Sequence, residues 1–440
     1  MSPKTKPASR TRQVAAAVIG NALEWYDFVI YGFVAKLFAD AFFPSDDPNT
    51  ALLTALATFG VGFFTRPIGG ILLGIYADRK GRKAALQLII TLMTIAIALI
   101  TFAPPYAAIG VAAPIIIVIA RLLQGFAAGG EFASATAFLV ESAPGNRRGL
   151  YGSWQMIGQC LAVLLGNGMG ALVTGLLEPE AVSSWGWRIP FAVGLLIAPV
   201  GFWIRRYMEE TEEFVHASQK QAPVRLQYVL RHHRRALLVT LGFTIIGSTT
   251  FYGSLVSMPN LASGTLGLPI KQVFIVQMIS VAVMIGIIPL AALASDIYGR
   301  KQVLLLGTLG TGLAVYPLYA WMAAIPSIST LLAAQLLLCS LIGISYGPIS
   351  TAIAEQFETR MRSSGISVAY NLAVMLFGGF APFIVTWLVR ETGNPASPAW
   401  YVMLGSIIGL TAILFMRESG PRPDSENGLV PDGECLPQST

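Results

Sequence analysis

Charge is scarce in this chain. Asp, Glu, Lys and Arg make up 12% of the 440 residues, where a soluble domain carries about 25%. Cysteine is scarcer still: Cys160, Cys339 and Cys435 are odd in number and far apart, which excludes a disulfide framework or a thiolate metal centre. The three histidines, His216, His232 and His233, fall in one central segment without metal-ligand spacing. There is no G-x-x-x-x-G-K-[ST] phosphate loop, so the chain by itself does not draw work from ATP. A nucleophile elbow and a His-Glu zinc motif are missing too. The expectation is a non-enzyme with neither cofactor nor metal. The net charge of +6 comes from basic residues scattered over short loops. Without an aromatic-studded basic domain, it points away from nucleic acid.

What the chain has in abundance is apolar sequence. Hydrophobic residues make up 54%, mean hydropathy is +0.65, and the apolar runs reach the roughly 20 residues that span a bilayer as helix. Twelve spans are predicted, at 16–40, 52–76, 84–104, 114–140, 151–176, 188–207, 236–258, 271–294, 302–323, 329–353, 365–389 and 399–416. The basic start MSPKTKPASRTR resembles a signal-peptide start, but no small-residue cleavage site follows, so the first span is read as retained. Of the 29 Lys and Arg residues, 23 fall in the termini and the even-to-odd loops. Positive residues stay inside, which puts both termini and the long central loop in the cytoplasm.

An internal repeat divides the spans into halves. DRKGRK at residues 78–83 returns as DIYGRK at 296–301, an offset of 218 residues with identical Asp-x-x-Gly-Arg-Lys spacing. Glu141 with Arg147 and Arg148 is echoed by Glu355 with Arg360 and Arg362. The predicted fold is therefore an all-α membrane protein of twelve transmembrane helices in two pseudo-symmetric six-helix halves, with a substrate site between them near the midplane. The expected units are 1–207, a central loop 208–235, 236–417 and a polar tail 418–440.

The stretch GGILLGIYADRKGRK (69–83) resembles the signature loop of the major facilitator superfamily. GNALEWYDFVIYG (20–32), FFTRPIGG (63–70), RLLQGFAAGGEF (121–132) and WGWRIPF (185–191), in that order, resemble the metabolite–proton symporters within it. The resemblance implies a bacterial inner-membrane carrier for citrate, tricarballylate, 2-oxoglutarate, shikimate or other organic acids, or for proline and betaine. It also implies a monomer in lipid, and alternating access driven by protons. A membrane sensor that moves nothing is the alternative from another class. The short tail without heptads differs from the long coiled-coil extension of many proline and betaine carriers. SWQ in span 5, TTFY in span 7 and TGNPASPAW at 392–400 look most like the citrate and tricarballylate branch.

Site residues follow from these motifs. On a helix Gly20, Glu24, Asp27 and Tyr31 share one stripe. A charge near mid-bilayer costs at least about 3 kcal/mol and marks a functional site by default. Desolvation and mutual repulsion favour protonation of such a carboxylate pair, so Asp27 and Glu24, with Glu131 of span 4, are the expected proton carriers, or Asp27 and Glu24 are a structural pair neutralised by arginine. Arg121, Gln124, Ala128 and Glu131 form a stripe on span 4. Arg121 offers a planar fork for a carboxylate; it binds an anionic substrate, pairs with Asp27 or Glu131, or exchanges between them. Tyr31, Gln155, Gln159, Tyr252 and Asn371 are further substrate candidates, each equally able to join helices by hydrogen bonds. Arg121 is read as the only deep arginine of the core, with Arg66 beside a kink at a gate. By resemblance, Asp78, Gly81 and Arg82, with Asp296 and Arg300 in the second copy, form a conformational latch. Ala292 replaces the first copy's Gly74, which predicts looser packing there.

Overall fold

The computed structural model describes residues 10–80, 82–144, 146–195, 231–358 and 362–418, and these contain no strand. Helix is what lipid demands, because every backbone polar group must be satisfied within its own segment. The helices are α1 (Arg10–Phe42), α2 (Thr50–Leu73), α3 (Arg82–Phe102), α4 (Ala112–Glu141) and α5 (Arg148–Leu176). A sixth, α6, starts at 188 and is described to 195. The second half runs α7 (Arg234–Gly264), α8 (Ile270–Tyr298), α9 (Arg300–Ala324), α10 (Ile328–Glu355), α11 (Arg362–Thr392) and α12 (Pro398–Phe415). Among the described residues nine of these, α2, α4, α5 and α7–α12, are long and apolar enough to cross a membrane. With α1, α3 and the start of α6, a helix stands at each of the twelve expected places.

Several spans are interrupted where the sequence permits it. Gly129–Gly130 makes a turn within α4, and Gly378–Phe380 does so within α11. Gly299 joins α8 to α9 at φ +96°, a conformation open to glycine because it has no Cβ to clash. Pro289, Pro317 and Pro348 sit inside α8, α9 and α10, which neighbouring membrane helices make tolerable.

The two halves pack with the symmetry of the repeat. The repeat carries α2 onto α8 and α5 onto α11, and the observed seams between halves are α5 against α8 and α2 against α11. The halves touch at both ends. At the basic end Asp296 accepts from the backbone N–H groups of Gly149 (2.8 Å) and Leu150 (3.1 Å), and Arg362 pairs with Glu141 at 2.6 Å. Thr351 there donates to the Arg148 carbonyl at 3.0 Å. At the far end Asn260 donates to the Gly32 carbonyl at 2.9 Å, and Arg390 faces Asp47 at 3.5 Å. Contacts at both ends thus flank the centre between the two seams.

Candidate functional site

The site begins with glycines. Gly125 and Gly129 on α4 face Gly62 and Gly69 on α2 so closely that a Cβ at any of the four would meet backbone of the other helix. Small residues at such spacing let membrane helices approach to backbone contact. Thr65 ties the seam, its hydroxyl lying 2.7 Å from the Leu122 carbonyl and 3.0 Å from that of Gly62. Here α2 tightens into a 3-10 turn, Gly62–Thr65. Four residues at 3.0 rather than 3.6 per turn advance the helix face by about 80°. Arg66 follows at once, and is turned inward.

Arg66 and Arg121 are consequently both buried, at 3% and 0% exposure. The core holds two deep arginines where the sequence suggested one, and Arg66 stands in the centre of the protein. The Arg121 Cζ lies 4.5 Å from the ring centroid of Phe28, 4.9 Å from Tyr31 and 4.6 Å from Phe59. Its Nη1 donates to Gln124 Oε1 at 2.5 Å and its Nη2 to the Phe59 carbonyl at 3.3 Å. The Arg66 Cζ lies 5.6 Å from Trp25, 5.1 Å from Phe28, 5.3 Å from Phe63 and 5.9 Å from Tyr370. Phe28 thus serves both guanidiniums. Aromatic faces offset part of the cost of holding a cation out of water, by about 2 kcal/mol per good contact when desolvated.

Beside this cage is a small cavity between the halves. Trp25, Phe132, Phe251, Tyr252, Tyr346 and Tyr370 form its aromatic wall, and Gln159, Thr244 and Ser248 its polar points. Phe132 and Tyr370, one from each half, stack with centroids 3.7 Å apart. Tyr252 lies on a π-helical turn, Phe251–Val256, of the kind that recurs at functional sites. Its ring meets Phe63 at 5.5 Å and Phe59 at 6.0 Å. Among the described residues, Arg121 Nε and both polar atoms of Gln155 are buried without a hydrogen-bond partner. Unsatisfied buried polar groups are rare in proteins and ask for an unseen partner.

The other expected residues divide clearly. Tyr31 is buried in the Arg121 cage, its hydroxyl donating to the Ala55 carbonyl at 3.2 Å. Asn371 is turned to a seam: its amide donates to the Gly129 carbonyl at 2.6 Å, joining α11 to α4. Glu131 is half-buried beyond the Gly129–Gly130 turn, which breaks the stripe it was expected to share with Arg121. Asp296 and Arg300 pair at 2.6 Å, and Arg300 also reaches Glu355 at 3.5 Å. Ala292 is fully buried, with the Gly347 backbone packed on it, so that part of the second copy is tight rather than loose. The side chains of Glu24, Asp27, Asp78 and Arg82, and the whole of Gly81, lie outside the described residues. Apart from Arg66, sequence reading missed the aromatic cage itself. Its signal was the run of Trp25, Phe28, Phe59 and Phe63 at helical spacing, which looks the same as ordinary core.

Two pseudo-symmetric helical halves around a buried site between them are the architecture of secondary membrane transporters. The Sugar (and other) transporter family profile matches residues 13–236, and the Major Facilitator Superfamily profile residues 253–432. The citrate-proton symporter of Klebsiella pneumoniae is 35% identical over 412 residues, 94% of this chain and 93% of that one. The glycine betaine/proline/ectoine/pipecolic acid transporter OusA of Dickeya dadantii is 34% identical over 426 residues, 94% of this chain and 84% of its own. The xylose transporter XylE from E. coli, in a partially occluded inward-open conformation, shares the fold with a TM-score of 0.73 at 18% identity, over 93% of this chain and 98% of that one. The chain belongs to the major facilitator superfamily, and it is a multi-pass membrane transporter rather than an enzyme.

Proposed function

We propose that the protein couples inward proton movement to uptake of a small organic acid, a di- or tricarboxylate such as citrate, by alternating access. The observation that carries this reading is Arg121, a guanidinium with no exposed surface between aromatic faces and next to unpartnered donors. Burying a charge costs several kcal/mol unless an opposite charge offsets it, so such a group calls for an anion. Negative charge has two sources here, the acids Glu24 and Asp27 of α1 and the carboxylate of an incoming substrate. Protonating the acids would free Arg121 for the substrate, and proton and anion would then bind together. Glu131, Tyr31, Gln155, Gln159 and Tyr252 would complete the coupling and binding set, with Asn371 at the seam. The two Asp-x-x-Gly-Arg-Lys loops would latch the basic end, Asp78, Gly81 and Arg82 in one copy, Asp296 and Arg300 in the other. The excess of basic residues at that end supports a cytoplasmic location for it and for both termini, in a bacterial inner membrane.

A second reading has its own support. The aromatic wall of Trp25, Phe251, Tyr252 and Tyr370 suits a quaternary ammonium group, as in betaine, whose carboxylate Arg121 would hold. Uptake into proteoliposomes under an inward proton gradient separates the two, using labelled citrate, tricarballylate, shikimate and betaine in parallel. Accumulation of a carboxylate that collapses with a protonophore is the expected result. Uptake of betaine alone would overturn the organic-acid reading, and uptake indifferent to the proton gradient would overturn the coupling.

A further inference from the structure

We infer that Arg66 is the specificity-determining residue for a second carboxylate, so that the site selects dianions and trianions over monoacids; this rests on the organic-acid reading above. Arg66 is 3% exposed, and its Nε and Nη1 have no hydrogen-bond partner among the described residues. The rings of Trp25, Phe28, Phe63 and Tyr370 surround the guanidinium and the Tyr252 hydroxyl reaches it, whereas a carboxylate binds the N–H edge in the plane. Nε and Nη1 are the donors that the cage leaves to a ligand.

The geometry also bears on which ligand. Trp25 and Tyr370, two walls of the Arg66 cage, are at the same time walls of the central cavity. Phe28 lies 5.1 Å from the Arg66 Cζ and 4.5 Å from the Arg121 Cζ, so one ring bounds the separation of the two guanidiniums. A short dicarboxylate spans that interval, with one carboxylate on each arginine. A monoacid can satisfy only one of them. Tyr370 belongs to α11, whereas Trp25, Phe28 and Arg66 belong to the first half. Binding at Arg66 is therefore felt on both sides of the moving seam.

The test counts carboxylates on the ligand. Inhibition of labelled citrate uptake by butyrate, glutarate and tricarballylate is measured in proteoliposomes for the wild type, R66Q and R66K. In the wild type, glutarate should inhibit at least tenfold more tightly than butyrate. R66Q should lose that gain and leave butyrate unchanged, and R66K, which keeps the charge but not the fork, should retain part of it. A wild type without the gain overturns the assignment, as does an R66Q protein that keeps it. Equal weakening of butyrate and glutarate in R66Q would make Arg66 a structural residue and also overturn it. If the wild type takes up betaine but no carboxylate, the organic-acid reading fails first and this inference falls with it.

Discussion

Replacing Gly125 with alanine should separate the two arginines without touching either. A methyl there lands on the Gly62 carbonyl, with the Thr65 hydroxyl 2.8 Å away. The obstacle is backbone, so no rotamer relieves it and α2 must move away from α4. Overpacking of this kind costs about 1–3 kcal/mol. The functional loss should be larger than the loss of stability, because a displacement of about 1 Å at a binding constellation can cost on the order of a hundredfold. G286A is the matched control: it too is a helical glycine, but its Cβ would meet nothing within 4 Å, and alanine should gain about 0.5–1 kcal/mol in helix there. Thermal melting of the purified protein and initial uptake rates in proteoliposomes read the two effects. The expected pattern is a lower melting temperature and uptake reduced ten- to hundredfold for G125A, with G286A near wild type. A G125A protein that melts and transports like the wild type would refute the glycine seam as the cause of the site.

Other perturbations probe the seams and the cavity wall. Asp296→Ala should leave the N–H groups of Gly149 and Leu150 without their acceptor, at a cost of about 1–3 kcal/mol; a T351C reporter at that seam should then react faster with maleimide, and unchanged labelling would count against the contact. Glu141→Arg and Arg362→Glu should each reduce uptake, and the double exchange should restore part of it if their 2.6 Å pairing holds the halves together. Tyr346→Phe removes a hydroxyl that donates to the Gly247 carbonyl at 2.9 Å, so a loss of about 1 kcal/mol in stability is expected from chemical or thermal melting. By contrast Asp47→Asn breaks a pair whose members are each 44% exposed; such surface pairs contribute about 0–1 kcal/mol, and the melting temperature should barely change.

Periodicity and repetition reach a long way in this protein. Twelve apolar runs, a 218-residue offset between two Asp-x-x-Gly-Arg-Lys loops and the skew of basic residues determine helices and their pairing into halves, because a bilayer leaves a chain few other choices. Arg121 too is legible from sequence, as a cation stranded mid-span. Arg66 is not, because reading the helix at a constant 100° per residue misplaces everything after the Gly62–Thr65 turn. That turn exists only where α2 meets α4, and no local pattern in α2 announces it. The same holds for Asp296, whose partners Gly149 and Leu150 belong to the other half, and for a cage whose rings come from α1, α2 and α11. Sequence sets which residues each helix offers. Close approach between helices decides which of them face one another, since it is the missing glycine side chains that let two backbones touch and carry two charges to one ring.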